Sequence, residues 1–186
     1  GASLFSGKLG QQVANAAFSL YDDRDPRTNP GSCFFDDEGQ VAPDYRQPII
    51  KNGVLTNLLV TKNTAAMFGL PPAATSGAAY DGVPSLTLSG FRMDQTHASV
   101  AELTKGKSIL VLIASGGDMT PDGHYATPVQ LAYLVEDGEI MGRLPELNIA
   151  GDFFDLIGDR YLGSAPNILL PSMRDSFMAC KMQVTK

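Results

Sequence analysis

Short apolar runs separated by polar, Gly- and Pro-rich stretches dominate the chain, and few of them have helical spacing. Residues 2–17 mix Ala, Leu, Val and Gln around Gly7 and Gly10, which predicts a short interrupted helix. Phe18 to Tyr21 alternates and predicts a strand, ended by the two prolines of the polar stretch 22–31. Cys33-Phe34-Phe35 reads as a strand running into the acidic turn Asp36-Asp37-Glu38-Gly39. Gln47–Lys51 and Val54–Val60 flank Asn52-Gly53, a strong hairpin signal because both turn positions accept positive φ. Thr61 can cap a short helix that Gly69 ends before two prolines. The Pro-, Ala- and Gly-rich residues 71–84 predict a loop, and Ser85 to Gly90 a strand.

The second half repeats the pattern. Ala98 to Thr104 suits a helix started near Ser99. Lys107 to Ala114 contains Ile109-Leu110-Val111-Leu112-Ile113, which reads as a fully buried strand. Residues 115–128 form a polar segment. Val129–Val135 and Ile140–Leu144 flank Glu136-Asp137-Gly138-Glu139, a second hairpin, and Asp152 to Gly158 predicts a helix. Ile168–Leu170 and Phe177–Val184 can close a sheet. Hairpins join antiparallel neighbours, and no strand alternates with long helices. The pattern therefore predicts an α+β fold, predominantly antiparallel β, barrel- or sandwich-like, with three or four short helices.

Composition narrows the class. The chain has 186 residues, 44% hydrophobic and 18% charged. That suits one domain over residues 1–186 and excludes a disordered chain. Gly1-Ala2-Ser3 reads as a tag remnant. No apolar run reaches the length of a spanning helix, and no basic n-region with an apolar h-region opens the chain. A cytoplasmic protein with Cys33 and Cys180 as free thiols is the expectation. A net charge of −6 argues against a nucleic-acid partner.

Candidate chemistry is sparse. His97 and His124 lie far apart, and neither has a His or Cys at ligand spacing. His124 has the stronger claim because it sits in a polar loop. Asp118, Asp122 and His124 form a candidate loop there. Taken as a calcium loop starting at Asp118, Gly123 falls at position six, but Val129 stands where the bidentate acid belongs. A solvated turn is the favoured reading. Asp36 and Asp37, adjacent on a strand, would face opposite ways and make no dyad. Asp22, Asp23 and Asp25 are read in the same way as the 36–39 stretch, as an acidic turn. Ser115-Gly116-Gly117-Asp118 follows an apolar strand, but no Lys-Ser/Thr follows it, so a phosphate cradle is not signalled. There is no Gly-x-Ser-x-Gly elbow and no catalytic residue to name.

An ordered set of segments resembles the C-terminal part of the TldD/PmbA family. They are Phe18-Ser19-Leu20-Tyr21-Asp22-Asp23, Gly31-Ser32-Cys33-Phe34-Phe35-Asp36-Asp37-Glu38-Gly39, Ile49-Ile50-Lys51-Asn52-Gly53-Val54-Leu55 and Thr64-Ala65-Ala66-Met67-Phe68-Gly69. Val135-Glu136-Asp137-Gly138-Glu139-Ile140 and Asn148-Ile149-Ala150-Gly151-Asp152-Phe153-Phe154-Asp155-Leu156-Ile157 follow in family order. The resemblance spans roughly residues 2–170. It implies kinship with proteins described as modulators of DNA gyrase and regarded as zinc-dependent peptidases and their partner subunits. It also implies partners: an upstream domain, a homologous subunit in a homo- or heterodimer, and a peptide held in a chamber.

The resemblance implies zinc only in the family's metal-bearing branch. There an HExxxH helix upstream of this region holds the metal, and a cysteine in a Cys-Gly-Lys-type segment near the C-terminus adds a ligand. No HExxxH occurs in this sequence, and the matching stretch Leu162-Gly163-Ser164-Ala165-Pro166-Asn167 has no cysteine. No metal ligand is carried onto any residue, which suggests the metal-free branch or a divergent member. Two further readings are a stand-alone binding or scaffolding module and a hydrolase using Asp36, Glu38 or Asp118. The latter requires those carboxylates to converge in one cleft.

Overall fold

A computed structural model describes residues 3–30, 32–87, 90–167 and 176–186. In chain order the first half carries β1 (Leu20–Asp23), β2 (Arg46–Lys51), β3 (Val54–Leu55), α1 (Lys62–Phe68), β4 (Ser76–Gly77), β5 (Ser85–Leu86), β6 (Phe91–Met93) and α2 (Val100–Leu103). The second half carries β7 (Lys107–Ala114), β8 (Asp118–Met119), β9 (His124–Glu136), β10 (Glu139–Arg143), β11 (Leu147–Asp152), α3 (Phe153–Ile157), β12 (Tyr161–Pro166), β13 (Ser176–Cys180) and β14 (Gln183–Thr185). Pro43–Tyr45 adds a single 3-10 turn.

Every pairing among the described residues is antiparallel. One sheet has the order β3-β2-β1-β6. A larger one runs β10-β9-β11-β14, with β7 and β8 on the other edge of β9; β12–β13 and β4–β5 make two small sheets. None closes into a barrel, so of the two predicted architectures the barrel is not the one adopted.

Local chemistry explains the short helices. Thr61 accepts a hydrogen bond from the Thr64 N–H at 3.2 Å, and Gly69 ends α1 at φ 63°. Ser99 caps α2 through the Glu102 N–H at 3.2 Å. Asp152 caps α3 through the Phe154 N–H at 3.0 Å. Both predicted hairpins form. At the second, Asp137 (φ 50°) and Gly138 (φ 88°) make the turn, and the Asp137 carboxylate accepts the Gly106 N–H at 2.8 Å. That contact ties the hairpin to the loop entering β7.

The main core joins the first sheet to α3 and β12. Phe18, Ile50, Leu55, Ile157 and Tyr161 are all buried, and the Phe18 and Tyr161 rings meet edge to face at 5.3 Å. Burying Ile50 and Leu55 contributes roughly 1.5–3 kcal/mol each. A second cluster, Val129, Ala132, Leu147 and Ile149, lies on the β9–β11 face. The third, Val100, Leu103 and Ala165, fixes α2 over β12.

Several expectations need correction. Residues 3–17 form turns and no helix. Backbone pairing wins there: the Gly10 N–H reaches Leu55 O at 2.8 Å, the Val13 N–H reaches Gly53 O at 2.9 Å, and Gly7 and Gly10 take positive φ. Cys33–Phe35 is not a strand; Phe34 and Phe35 are exposed and meet edge-on, and Phe34 also meets Tyr45 edge-on. Residues 115–128 contain β8 and the start of β9. The run Ile109–Ile113 is a strand but is not buried. It lies at the edge of its sheet among the described residues, where one side has no paired strand. β6, β11 and β12 were not foreseen as strands. The predicted strand Ile168–Leu170 and the tag remnant at Gly1-Ala2 lie outside the described residues.

Candidate functional site

Three regions carry polar or concave chemistry, and the first grows from the end of β1. Arg24, just past the end of β1, reaches back to Asp22. Arg24 Nε donates to Asp22 Oδ2 at 3.1 Å, with the side chains 5% and 0% exposed. The guanidinium also donates to Phe35 O at 3.3 Å and Thr87 O at 3.5 Å, while Asp22 Oδ1 accepts the Gly90 N–H at 3.0 Å. One buried ion pair thereby pins two separate loops to β1.

The neighbouring carboxylates are equally engaged. Asp23 accepts the Asp25 N–H at 2.9 Å and faces Arg46 at 3.6 Å. Arg46 in turn lies over the Tyr21 ring at 4.1 Å. Partial burial, then the hydrogen bond to Asp94, pushes the Tyr21 hydroxyl above its ordinary pKa. Asp25 holds Arg27 through both oxygens, and those hydrogen bonds draw its pKa below the usual carboxylate value. Asp36 is buried and accepts from the N–H groups of Glu38, Gln40 and Ser76 and from the Ser76 hydroxyl. In the stretches read as acidic turns, Asp22, Asp23, Asp25 and Asp36 are therefore buried struts. Arg24, Asn29, Ser32, Cys33 and Asp37 line an open polar pit of about 440 Å³ beside them. Arg24 is paired with Asp22, and the Asp37 carboxylate accepts the Ala78 N–H at 2.6 Å.

The second region is the predicted loop. Asp118 lies on β8 opposite Ala126, and His124 begins β9. The Asp118 carboxylate accepts its neighbour's Met119 N–H at 2.7 Å. Asp122 accepts the Thr120 hydroxyl, the foremost reason its pKa is drawn down, and the same hydroxyl accepts the His124 N–H at 3.1 Å. The three residues share one exposed turn, with these side-chain bonds made inside it. Asp36 and Glu38 belong elsewhere: Glu38 accepts the Lys62 N–H at 2.8 Å beside the first sheet. Of the carboxylates proposed for a hydrolase, Asp36 and Glu38 thus share one turn, while Asp118 sits in a separate local network.

The third region is an apolar groove of about 600 Å³ lined by β7, β13 and α2, with Val135 of β9, Ile149 of β11, Leu162 of β12 and Val184 of β14 also reaching it. Sequence reasoning missed it because it assigned the β7 run to a buried core. Cys180 lines it, half-buried, with its thiol pKa pushed up by that burial; Cys33 is exposed. His97 packs against Gly163, and its Nδ1 lies 2.9 Å from Thr96 Oγ1. Among the described residues no group of three or more His, Cys, Asp or Glu side chains is placed to hold a metal ion. The residues present do not fit a zinc centre.

Folds of this kind recur in solved structures. TldE from Thermococcus kodakarensis superposes with a TM-score of 0.74 at 21% identity, over 100% of this chain and 42% of that one. A model of the PmbA/TldA metallopeptidase C-terminal domain matches residues 1–185. The chain belongs to that family. Among named relatives, a metalloprotease of Archaeoglobus fulgidus is 27% identical over 168 residues, which is 88% of this chain and 38% of the relative. A metalloprotease TldD homolog of Buchnera aphidicola is 24% identical over 162 residues, 84% and 33% respectively. The chain spans about a third of the length of the curated relatives it matches.

Proposed function

We propose that this chain acts as a non-catalytic C-terminal domain, folding as one unit over residues 1–186, in a TldD/PmbA-type protein. In this reading it packs against an upstream domain and a homologous subunit and helps wall a chamber that holds a peptide. The observation that carries the reading is the amount of apolar surface left open in a chain spanning 38% of a relative. Leu162, Met178 and Val184, 41–49% exposed, line one apolar groove. Surfaces of that kind mark interaction sites. The acidic struts around Asp22 and Asp36 shape the domain without performing chemistry. The Asp118, Asp122 and His124 turn is a solvated rim, and a cytoplasmic setting suits the two free thiols.

Zinc calorimetry on the chain tests this. No stoichiometric uptake is expected, since the donors are dispersed; a one-to-one site of micromolar affinity or better would refute it.

A further inference from the structure

The groove lined by β7 and β13 carries a more specific assignment. β7 has five consecutive apolar residues, Ile109 to Ile113, yet none of them is buried. Among the described residues β7 pairs only with β9, and β13 only with β12, so each offers one edge with no paired strand. Natural edge strands are commonly blunted by charges, proline or bulges. Here β7 has no proline, and its one charged side chain is Lys107 at the very start. The register slips near Leu112, while Lys107 to Val111 stays regular. That regular stretch lines the groove and spans about 17 Å, five residues at strand rise.

Charge tells what fits there. The chain has 14 basic and 20 acidic residues. The described lining nevertheless holds Lys105, Lys107 and Lys181 and no acidic side chain. An apolar floor with a cationic rim, in an otherwise acidic protein, selects an apolar occupant with anionic ends. We propose that the groove takes an extended polypeptide segment of a partner protein, apolar in its middle and acidic at its flanks. The segment would add as a strand to the edge of β7. Main-chain hydrogen bonds would supply affinity, and the three lysines orientation and selectivity. This deepens the packing role proposed above by naming the partner's chemistry, and it rests on that reading without requiring or excluding catalysis.

The test uses the 186-residue chain and a fluorescein-labelled heptapeptide, acetyl-Glu-Val-Thr-Val-Thr-Val-Glu-amide, read by anisotropy. Saturable binding is expected. A Lys-flanked version should bind at least about fivefold more weakly, since two exposed charge attractions become repulsions. A version N-methylated at alternate residues, which cannot pair as a strand, should lose binding. Lys105→Glu, Lys107→Glu and Lys181→Glu together should reverse the charge preference, with the circular dichroism spectrum unchanged. Absence of binding up to about 1 mM, equal binding of both charge versions, or undiminished binding of the N-methylated peptide overturns the assignment. So does a concentration-dependent homodimer that occludes β7. Zinc calorimetry separates any of these failures from failure of the non-catalytic reading.

Discussion

Replacing Arg24 by methionine keeps most of the side-chain volume and deletes the charge. Its partner Asp22 is 0% exposed and would lose the guanidinium hydrogen-bonded to it. Breaking a buried pair from one side costs about 3–5 kcal/mol, because the surviving charge keeps its desolvation penalty. The carbonyls of Phe35 and Thr87 would also lose a donor, each adding up to roughly 1–3 kcal/mol where no water replaces it. Stability of an ordinary domain is only about 5–15 kcal/mol, so a loss of about 4 kcal/mol is a large part of the whole. Equilibrium denaturation in urea measures it, and a fall in Tm of roughly 8–16 °C should accompany it. The double variant Asp22→Asn/Arg24→Met should recover much of the loss, since the carboxylate charge is removed together with the guanidinium. A single variant within about 1 kcal/mol of the parent, or a double variant worse than the single, would refute the strut reading.

Gly53→Ala should destabilise by more than about 2 kcal/mol. Gly53 sits at φ 79°, and an added Cβ would press on Asn15 O at 2.7 Å and still closer on Ala14 O; chemical denaturation reads it. Arg27→Gln should raise the Asp25 pKa toward the ordinary carboxylate value, observed by NMR titration. The parent carboxyl is depressed by its hydrogen bonds to Arg27. Its stabilising effect is therefore present above the unfolded-state pKa and fades as pH falls through the folded one. The parent should accordingly show a stability loss at acidic pH that the variant lacks; identical acid profiles would contradict this. Cys33 should react with iodoacetamide well before Cys180, since it is exposed and burial raises the Cys180 thiol pKa; mass spectrometry orders the two, and equal rates would refute it.

Local signals carried much of the fold. Thr61, Gly69, Asn52-Gly53 and Asp137-Gly138 act over a few residues, and the structure uses each as its chemistry dictates. The N-terminal segment failed because its backbone partners, Leu55 and Gly53, lie some forty residues away and override local preference. The acidic stretch at 22–25 failed for a related reason. Its composition resembles a polar loop, yet Arg24, just past the end of β1, reaches back to Asp22 and the two neutralise one another inside. The Asp-x-Arg spacing at a strand end was the signal that could have revealed it. β7 misled in the opposite sense: a fully apolar run usually marks a buried strand, and here it forms a sheet edge with no second paired strand among the described residues. Asp118, Asp122 and His124 were legible as one turn because the chain is continuous there. Whether a long-range site formed with other side chains could not be read from spacing.

Peptide hydrolysis by the purified 186-residue chain, with and without equimolar zinc, tests the central claim most directly. A non-catalytic packing domain predicts cleavage of an unstructured peptide mixture no faster than background under either condition. Zinc-dependent turnover abolished by a chelator would contradict it.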